Sequence, residues 1–406
     1  MRVLELHASG LTLATLSHEC KNEAMQVLVL NCGSSSFKYA VFETDSRALL
    51  AKGLVERIGS SAATLKRGKL ESQSIDAPDH TAAINEVSKL EDFSGVQAVG
   101  HRVVHGGEAF TKPVQITPEV MLALEANAHL APLHNPPNIA GIRAAQLALP
   151  DVPQVAVFDT GFHSSLPAKA FLYAIPKELY EQEKIRRYGF HGTSHEYVAL
   201  EAARILEKPL ESLKLVSLHL GNGASACAIL HGQSVDTSMG FTPLEGLVMG
   251  TRSGDLDAGV VLELAKRDGI PQTLELLNKK SGMQGLSGSS DLRDVHAKAE
   301  TGDLWAEHAL EVFAYRVQKI IGAYAAAMNG LDAVIFTAGV GENDAKMRAR
   351  ILENLEFLGL ELDGQANTQN ATVISSSNSR ATTLVIPTDE EWAIARATSM
   401  LLGDSV

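Results

Sequence analysis

Val27-Leu28-Val29-Leu30-Asn31-Cys32-Gly33-Ser34-Ser35-Ser36-Phe37-Lys38-Tyr39-Ala40 carries an unbroken apolar run into a turn of glycine, serines and a lysine. The run reads as a buried strand. The turn has the makings of a phosphate-handling loop. Glycine opens backbone conformations closed to other residues, and successive amide N–H groups with serine hydroxyls can then surround an anion. Ser36 and Lys38 add a hydroxyl and a positive charge, and Asn31 an oxygen able to hold a metal through water. Ordinary β-turns share this composition, and nothing in the chain reads G-x-x-x-x-G-K-[ST]. The turn therefore takes its meaning from its company.

Further along, Leu215-Val216-Ser217-Leu218-His219-Leu220 enters Gly221-Asn222-Gly223 and leaves through Ala224-Ser225-Ala226-Cys227-Ala228, repeating strand, glycine turn, serine and strand. Such turns are common, so the repeat leaves a duplicated, two-lobed fold open without requiring it. Val155–Phe158 and Ala333–Phe336 read as further buried strands. Pro118–Ala128, Tyr197–Leu206, Leu304–Asn329 and Ala345–Leu355 carry apolar residues at helical spacing. The class is therefore α/β. A third glycine turn, Phe336-Thr337-Ala338-Gly339-Val340-Gly341-Glu342-Asn343, leaves a strand and enters a helix expected to begin near Asp344. Its free amides and the helix dipole suit an anion. It lacks the third glycine of G-x-G-x-x-G, and a plain capped strand-to-helix turn reads equally well.

The 406 residues, 45% apolar and 20% charged, suit a globular chain of about two or three domains. A net charge of −13 argues against a nucleic-acid surface, so a phosphate ligand must be small and locally held. Cys20, Cys32 and Cys227 are too few and scattered for a disulfide framework or zinc site, and no apolar stretch is long enough to span a membrane. A cytoplasmic location is expected. Residues 1–24 resemble neither a signal nor a transit peptide and read as an extension outside the fold, with Met25 as an alternative start.

Three polar clusters carry the chemistry that phosphoryl transfer needs, which is positioning and charge neutralisation. In Gly100-His101-Arg102-Val103-Val104-His105-Gly106-Gly107, Arg102 can hold a carboxylate with its planar fork beside an apolar Val104. In Gly189-Phe190-His191-Gly192-Thr193-Ser194-His195, small residues surround His191 as if a ligand approaches closely, although single histidines are often core or cap residues. In Met249-Gly250-Thr251-Arg252-Ser253-Gly254-Asp255-Leu256-Asp257, Arg252 reads as a phosphate clamp or as half of an intraloop salt bridge.

These strings, with Ala131-Pro132-Leu133-His134-Asn135-Pro136-Pro137, Val157-Phe158-Asp159-Thr160-Gly161-Phe162-His163 and Val235 to Gly246, closely resemble the acetate kinase family. The resemblance covers residues 25–406. It implies two duplicated lobes of the actin-like, sugar-kinase-like fold with the active site in the cleft between them. The expected lobes are 25–161 plus 389–406 and 162–388.

The resemblance also implies roles. Asn31 and Glu390 match magnesium positions, with manganese as an alternative ion. Arg102 matches the acetate-binding arginine, and Val104, Leu133, Phe190 and Pro243 the pocket around the methyl group. His134 completes the polar shell. Asp159, His191 and Arg252 match catalytic positions, with His191 and Arg252 on the transferring group. ATP or ADP is expected against His219, Leu220, Gly221, Asn222 and Gly223, against Asp291, Leu292 and Arg293, and against Gly339, Val340, Gly341, Glu342 and Asn343, with Ser36 and Lys38 near the phosphates. The reaction implied is direct transfer to acetate, giving acetyl phosphate and ADP, in a homodimer without nucleic acid or membrane.

Because acetate is already ionised at neutral pH, Asp159 is expected to orient Arg252 or His191 or support the metal, not to act as a base. Cys32 stands where the family usually has alanine and reads as a buried, inert thiol. Ser287–Asp291 is shorter than in relatives, leaving the contacts of Asp291 and Arg293 less defined. A propionate- or butyrate-preferring relative is the near alternative, against which the bulk of Val104 speaks. An actin- or chaperone-like ATPase is the alternative of another class, but it has no need of Arg102 beside an apolar pocket.

Overall fold

The computed structural model describes residues 25–132 and 134–403, so the expected extension at 1–24, Cys20 and Leu133 lie outside the described residues. The first sheet is built on β1 (Gln26–Cys32), β2 (Ser36–Glu43), β3 (Ala48–Glu56), β4 (Ala98–Val103) and β5 (Gln154–Phe158), in the order β3-β2-β1-β4-β5, with short strands at both edges. The second comprises β6 (Lys214–Leu220), β7 (Ala224–Leu230), β8 (Gln233–Thr237), β9 (Ala333–Thr337) and β10 (Thr382–Val385), in the order β8-β7-β6-β9-β10. In each sheet the strand before the glycine turn pairs antiparallel with its hairpin partner, that partner pairs antiparallel with the next, and the two strands on the other side run parallel. The weak repeat in the sequence is thus a duplication of topology.

The apolar runs are unbroken because both faces are covered. Leu28 and Leu30 of β1 pack with Ala144 and Ala145 of α1 (Asn135–Ala148), while Val27 and Val29 pack with Ile394 and Ala395 at the other end of the chain. β1 and β6 are both seven residues long, each with four consecutive buried positions followed by a half-buried sixth residue, Asn31 and His219 respectively.

One helix begins earlier than its periodicity suggests, and an unexpected one precedes Ala345. α2 (Gly192–Ile205) starts five residues before Tyr197, because His191 takes a left-handed φ of 57° and the Gly192 N–H donates to the Asp159 carbonyl at 2.9 Å. A Cβ on Gly192 would lie 2.2 Å from that carbonyl oxygen, so glycine is required. α3 (Leu292–Glu300) and α4 (Leu304–Ala327) follow, the latter capped by Asp303. The expected loop over Gly339–Asn343 is itself helical, α5 (Ala338–Asn343), and α6 (Ala345–Leu352) follows it. Ala338 turns the chain with a φ of 64°, and Glu342 Oε1 accepts the Ala338 N–H at 2.9 Å, doing what no residue before the helix does.

α7 (Glu390–Gly403) returns to the first sheet, packing on β1, β4 and β5 and also against α2. Gly100 permits this approach: a Cβ there would lie 2.5 Å from Thr398 Oγ1. Among the described residues no helix is long and apolar enough to cross a membrane. Cys32 is free and buried, and burial pushes its thiol up to about 12, as an inert thiol requires.

Candidate active site

Parallel β1, β4 and β5 deliver Asn31, Arg102 and Asp159 to one edge, at the carboxyl ends where α/β sheets bind ligands. Asp159 accepts both prongs of Arg102, Nε to Oδ1 at 2.9 Å and Nη2 to Oδ2 at 2.7 Å. Asp159 thus orients Arg102 and makes no hydrogen bond to Arg252 or His191, two of the partners expected of it, while its expected support of the metal stands as a proposal. The physical reason is topological: Arg102 and Asp159 leave neighbouring parallel strands, whereas His191 precedes α2 and Arg252 lies on a loop beyond the second sheet's first three strands. Arg102 Nη1 is left free of the carboxylate and approaches Asn31 Oδ1 at 3.5 Å. Burial alone would lower the Arg102 pKa, but Asp159 and Glu390 more than offset it and hold the guanidinium charged.

Arg252 is half-buried and donates Nη1 to the Pro243 carbonyl at 3.1 Å. Among the described residues it has no carboxylate partner, so the intraloop salt bridge does not form, and burial lowers its pKa. An uncompensated guanidinium facing a cleft is an anion site. His191 lies beside it. A Cβ on Gly223 would stand 3.6 Å from His191 Nε2 and 4.0 Å from Arg252 Nη1, so the missing side chain leaves a cradle between them. His191 stacks on His219 with ring centroids 4.2 Å apart. Burial first, then the charges of its neighbours, hold its pKa well below the ordinary histidine value, so the ring is neutral. His134 shares the site: burial, Arg252 and Arg102 lower its pKa.

Glu390 opens α7 and lies within the fields of Arg102 and Asp159. Its pKa is raised, by burial first and by Asp159, and among the described residues it carries no ion pair or hydrogen bond. The Glu390 carboxylate and the Asn31 amide oxygen, each near Arg102, offer hard oxygen donors, which fits magnesium or manganese completed by phosphate oxygens.

A cavity of about 1140 Å³ joins three of the predicted nucleotide segments through Gly221, Asn222, Asp291, Leu292, Arg293, Gly339, Val340 and Asn343. Asp291 caps α3 and grips the exposed Arg293, whose guanidinium holds its carboxyl down to about 2. The other expected nucleotide residues fall elsewhere. Leu220 is core, and Gly341 faces inward, its carbonyl held by the buried Arg348 at 2.9 Å. Glu342 Oε1 accepts from both Ala338 and Thr388 N–H groups, tying the second sheet to the segment that leads into Glu390. Lys38 lies exposed on β2 in a separate depression with Asp389 and Glu391, although Glu390 feels its charge, and Ser36 closes the hairpin by accepting the Gly33 N–H through its carbonyl. Of the methyl-pocket residues, Val104 and Phe190 are buried in one apolar cluster, and Pro243 is tied to Arg252 through its carbonyl.

Sequence reasoning missed four supporting residues. Asn138 accepts from Val104 N–H and donates to the Cys32 carbonyl; Arg348 braces α5; Ser225 and His195 stand behind His191. The available signal was the placing of polar residues in apolar elements, as at Ser217 and Ser225.

Two sheets of one topology, an arginine without a carboxylate partner among the described residues beside a neutral histidine, and a group of oxygen donors near Arg102 have the makings of a phosphotransferase. The chain matches the acetokinase family over residues 26–396. It is 50% identical over 399 residues to the acetate kinase of Pseudothermotoga lettingae, covering 94% of this chain and 98% of that protein. Against the acetate kinase of Natranaerobius thermophilus it is 52% identical over 397 residues, covering 93% and 100%. Among solved structures, Porphyromonas gingivalis acetate kinase aligns with a TM-score of 0.89 at 44% identity, covering 93% of this chain and all of the other. A propionate kinase from Francisella tularensis aligns with a TM-score of 0.89 at 41% identity, covering 93% and 99%. The chain belongs to the acetokinase family, kinases that phosphorylate acetate with ATP.

Proposed function

We propose that this enzyme transfers the γ-phosphoryl group of ATP directly to acetate, in line and reversibly, giving acetyl phosphate and ADP without a protein nucleophile. The observation that carries the reading is the cradle at Gly223, bounded by His191 and an Arg252 that has no counter-anion among the described residues. Asp159 fixes the plane of Arg102 and leaves Nη1 to meet the acetate carboxylate. Acetate is ionised at neutral pH, so its oxygen attacks without a base. Arg252 and the neutral His191 donate to the oxygens of the moving group, and residues 221–222, 291–293, 339–340 and 343 hold the nucleotide. Asn31 and Glu390 are the groups to hold magnesium, or manganese, which when bound neutralises phosphate charge.

The lobes are assigned to 25–161 plus 389–406 and to 162–388, supported by the packing of α7 on the first sheet. A homodimer is supported by the helices Ala258–Asp268 and Ile270–Lys279, where Leu262 and Ile270 are 71% and 67% exposed. Free, buried Cys32 and Cys227 accord with a reducing cytoplasm. The test is ATP- and magnesium-dependent acyl phosphate formation, trapped as the hydroxamate, with acetate, propionate and butyrate side by side. Preference for acetate is expected from the buried Val104. Preference for a longer acid overturns the substrate and keeps the mechanism, while ADP release without acyl phosphate overturns both.

A further inference from the structure

Behind His191 runs a chain of buried polar groups that the reaction as described does not use. His191 Nδ1 lies 2.9 Å from Ser225 Oγ, Ser225 Oγ lies 2.8 Å from His195 Nε2, and His195 Nδ1 lies 2.9 Å from Ser217 Oγ. Ser217, Ser225 and His195 are fully buried, on β6, β7 and α2 respectively. Each hydroxyl carries one proton, and each neutral imidazole carries one. Four protons share three contacts, so each of the three arrangements the contacts allow leaves one proton outside them. In one, His191 donates to Ser225, Ser225 to His195 and His195 to Ser217, and the Ser217 O–H is left without an acceptor among the described residues. In a second, Ser217 O–H donates to His195 Nδ1, His195 Nε2–H and His191 Nδ1–H both donate to Ser225 Oγ, and the Ser225 O–H is left without an acceptor among the described residues. In the third, Ser217 O–H donates to His195 Nδ1, His195 Nε2–H to Ser225 Oγ and Ser225 O–H to His191 Nδ1, and the proton outside the contacts is His191 Nε2–H, which faces the Gly223 cradle. Folded proteins leave few buried donors unpaired, and Ser217 and Ser225 are fully buried whereas His191 Nε2 faces the cradle where a ligand or water can accept, which selects the third arrangement.

We infer that Ser217, His195 and Ser225 form a positioning relay that fixes His191 as the Nε2–H tautomer, so that it presents a hydrogen-bond donor to the phosphoryl group at the Gly223 cradle. The relay rests on the assignment of His191 to that group. A neutral ring in the opposite tautomer would turn a lone pair toward an anion, so the tautomer decides whether His191 attracts or repels the moving group. No proton is transferred along the relay. Its work is finished before substrate arrives, which is electrostatic preorganisation.

The measurement is long-range ¹H–¹⁵N correlation of the imidazoles in the ligand-free enzyme, with the His191 ring assigned by its loss in His191→Gln. The expected pattern is one pyrrole-like nitrogen at Nε2 and one pyridine-like nitrogen at Nδ1. Ser225→Ala should blur that pattern and lower kcat by roughly 10²-fold, as for the loss of one preorganised donor, with KM for ATP and acetate unchanged. Ser225→Thr, which keeps the hydroxyl, should restore both. Ser217→Ala, remote from the cleft, should produce the same tautomer change more weakly. An Nδ1–H ring in the unmodified enzyme overturns the relay outright, as does a Ser225→Ala ring that keeps the wild-type pattern. A tautomer that shifts in Ser225→Ala while kcat stays constant overturns instead the placing of His191 against the phosphoryl group, and normal turnover by His191→Gln would do the same.

Discussion

Arg252 and Arg102 carry the same charge and opposite circumstances. Arg102 has its anion built in, while Arg252 faces the cradle with the Pro243 carbonyl and the Met249 sulfur to receive it and no carboxylate among the described residues. Arg252→Ala should therefore leave folding intact and lower kcat by about 10³–10⁵, the range for an arginine that meets charge only in the transition state; turnover within tenfold of wild type, by coupled assay, would remove that role. Asp159→Asn should act through Arg102. Losing a charged, bidentate partner costs about 2 kcal/mol or more, roughly 30-fold in kcat/KM for acetate. The pH profile should keep its shape, because both carboxylate oxygens are occupied by Arg102. A log-linear limb that disappears in Asp159→Asn would make it a base after all. Arg102, His191 and Arg252 were legible because glycines and small residues flank them in sequence. The pairing of Asp159 with Arg102 was not, since fifty-seven residues separate two side chains that only neighbouring parallel strands bring together. Ser225 and His195 were quoted in their motifs but had no visible task until the donors behind His191 could be counted.

At the level of elements, the strands were readable because covering both faces of β1 and β6 demands an unbroken apolar run. The starts of α2 and α5 were not, because each depends on a contact from elsewhere: the Asp159 carbonyl for Gly192, and Glu342 together with a positive φ at Ala338 for the turn after β9. α7 is the element on which the metal corner depends. It lies on β4 through the space left at Gly100, where a new side chain would meet Thr398 Oγ1 and Ile394 Cγ2 at 2.5 and 2.8 Å. Gly100→Val should cost about 1–3 kcal/mol of stability, as overpacking does. It should also raise the magnesium concentration needed for half-maximal activity, because Glu390 opens the displaced helix. A variant with lowered Tm but unchanged magnesium dependence would separate α7 from the metal. Gly223→Ala offers the complementary case. Its Cβ would make only ordinary contacts, 3.5 Å at the nearest, so Tm should hold while kcat/KM for ATP falls at least roughly tenfold, with the cradle filled.

Across the whole molecule, buried neutral histidines set the acid limit. Burial pushes His101, His105 and His163 down to about 4, below the ordinary value near 6.5. Between those values the unfolded chain binds protons that the folded one refuses, so stability is full above pH 6.5 and is lost as pH falls toward 4. Each ring contributes about 1.4 kcal/mol per pH unit, and three together roughly 4 kcal/mol, a large part of a typical total. Calorimetric Tm should be level from pH 8 to 7 and drop steeply below 6.5; a level trace down to pH 5 would show that these rings titrate freely. The duplicated lobes were visible in sequence only as two similar turns, because sheet order and strand direction leave no mark on composition. Asn31 and His219 hold the sixth place of twin strands, each followed by a glycine and a returning partner strand. In-line transfer has a matching shape, with one oxygen arriving and one leaving on opposite sides of phosphorus. One transition state serves both directions, so the concentrations of acetate, acetyl phosphate and the two nucleotides decide which way the enzyme runs.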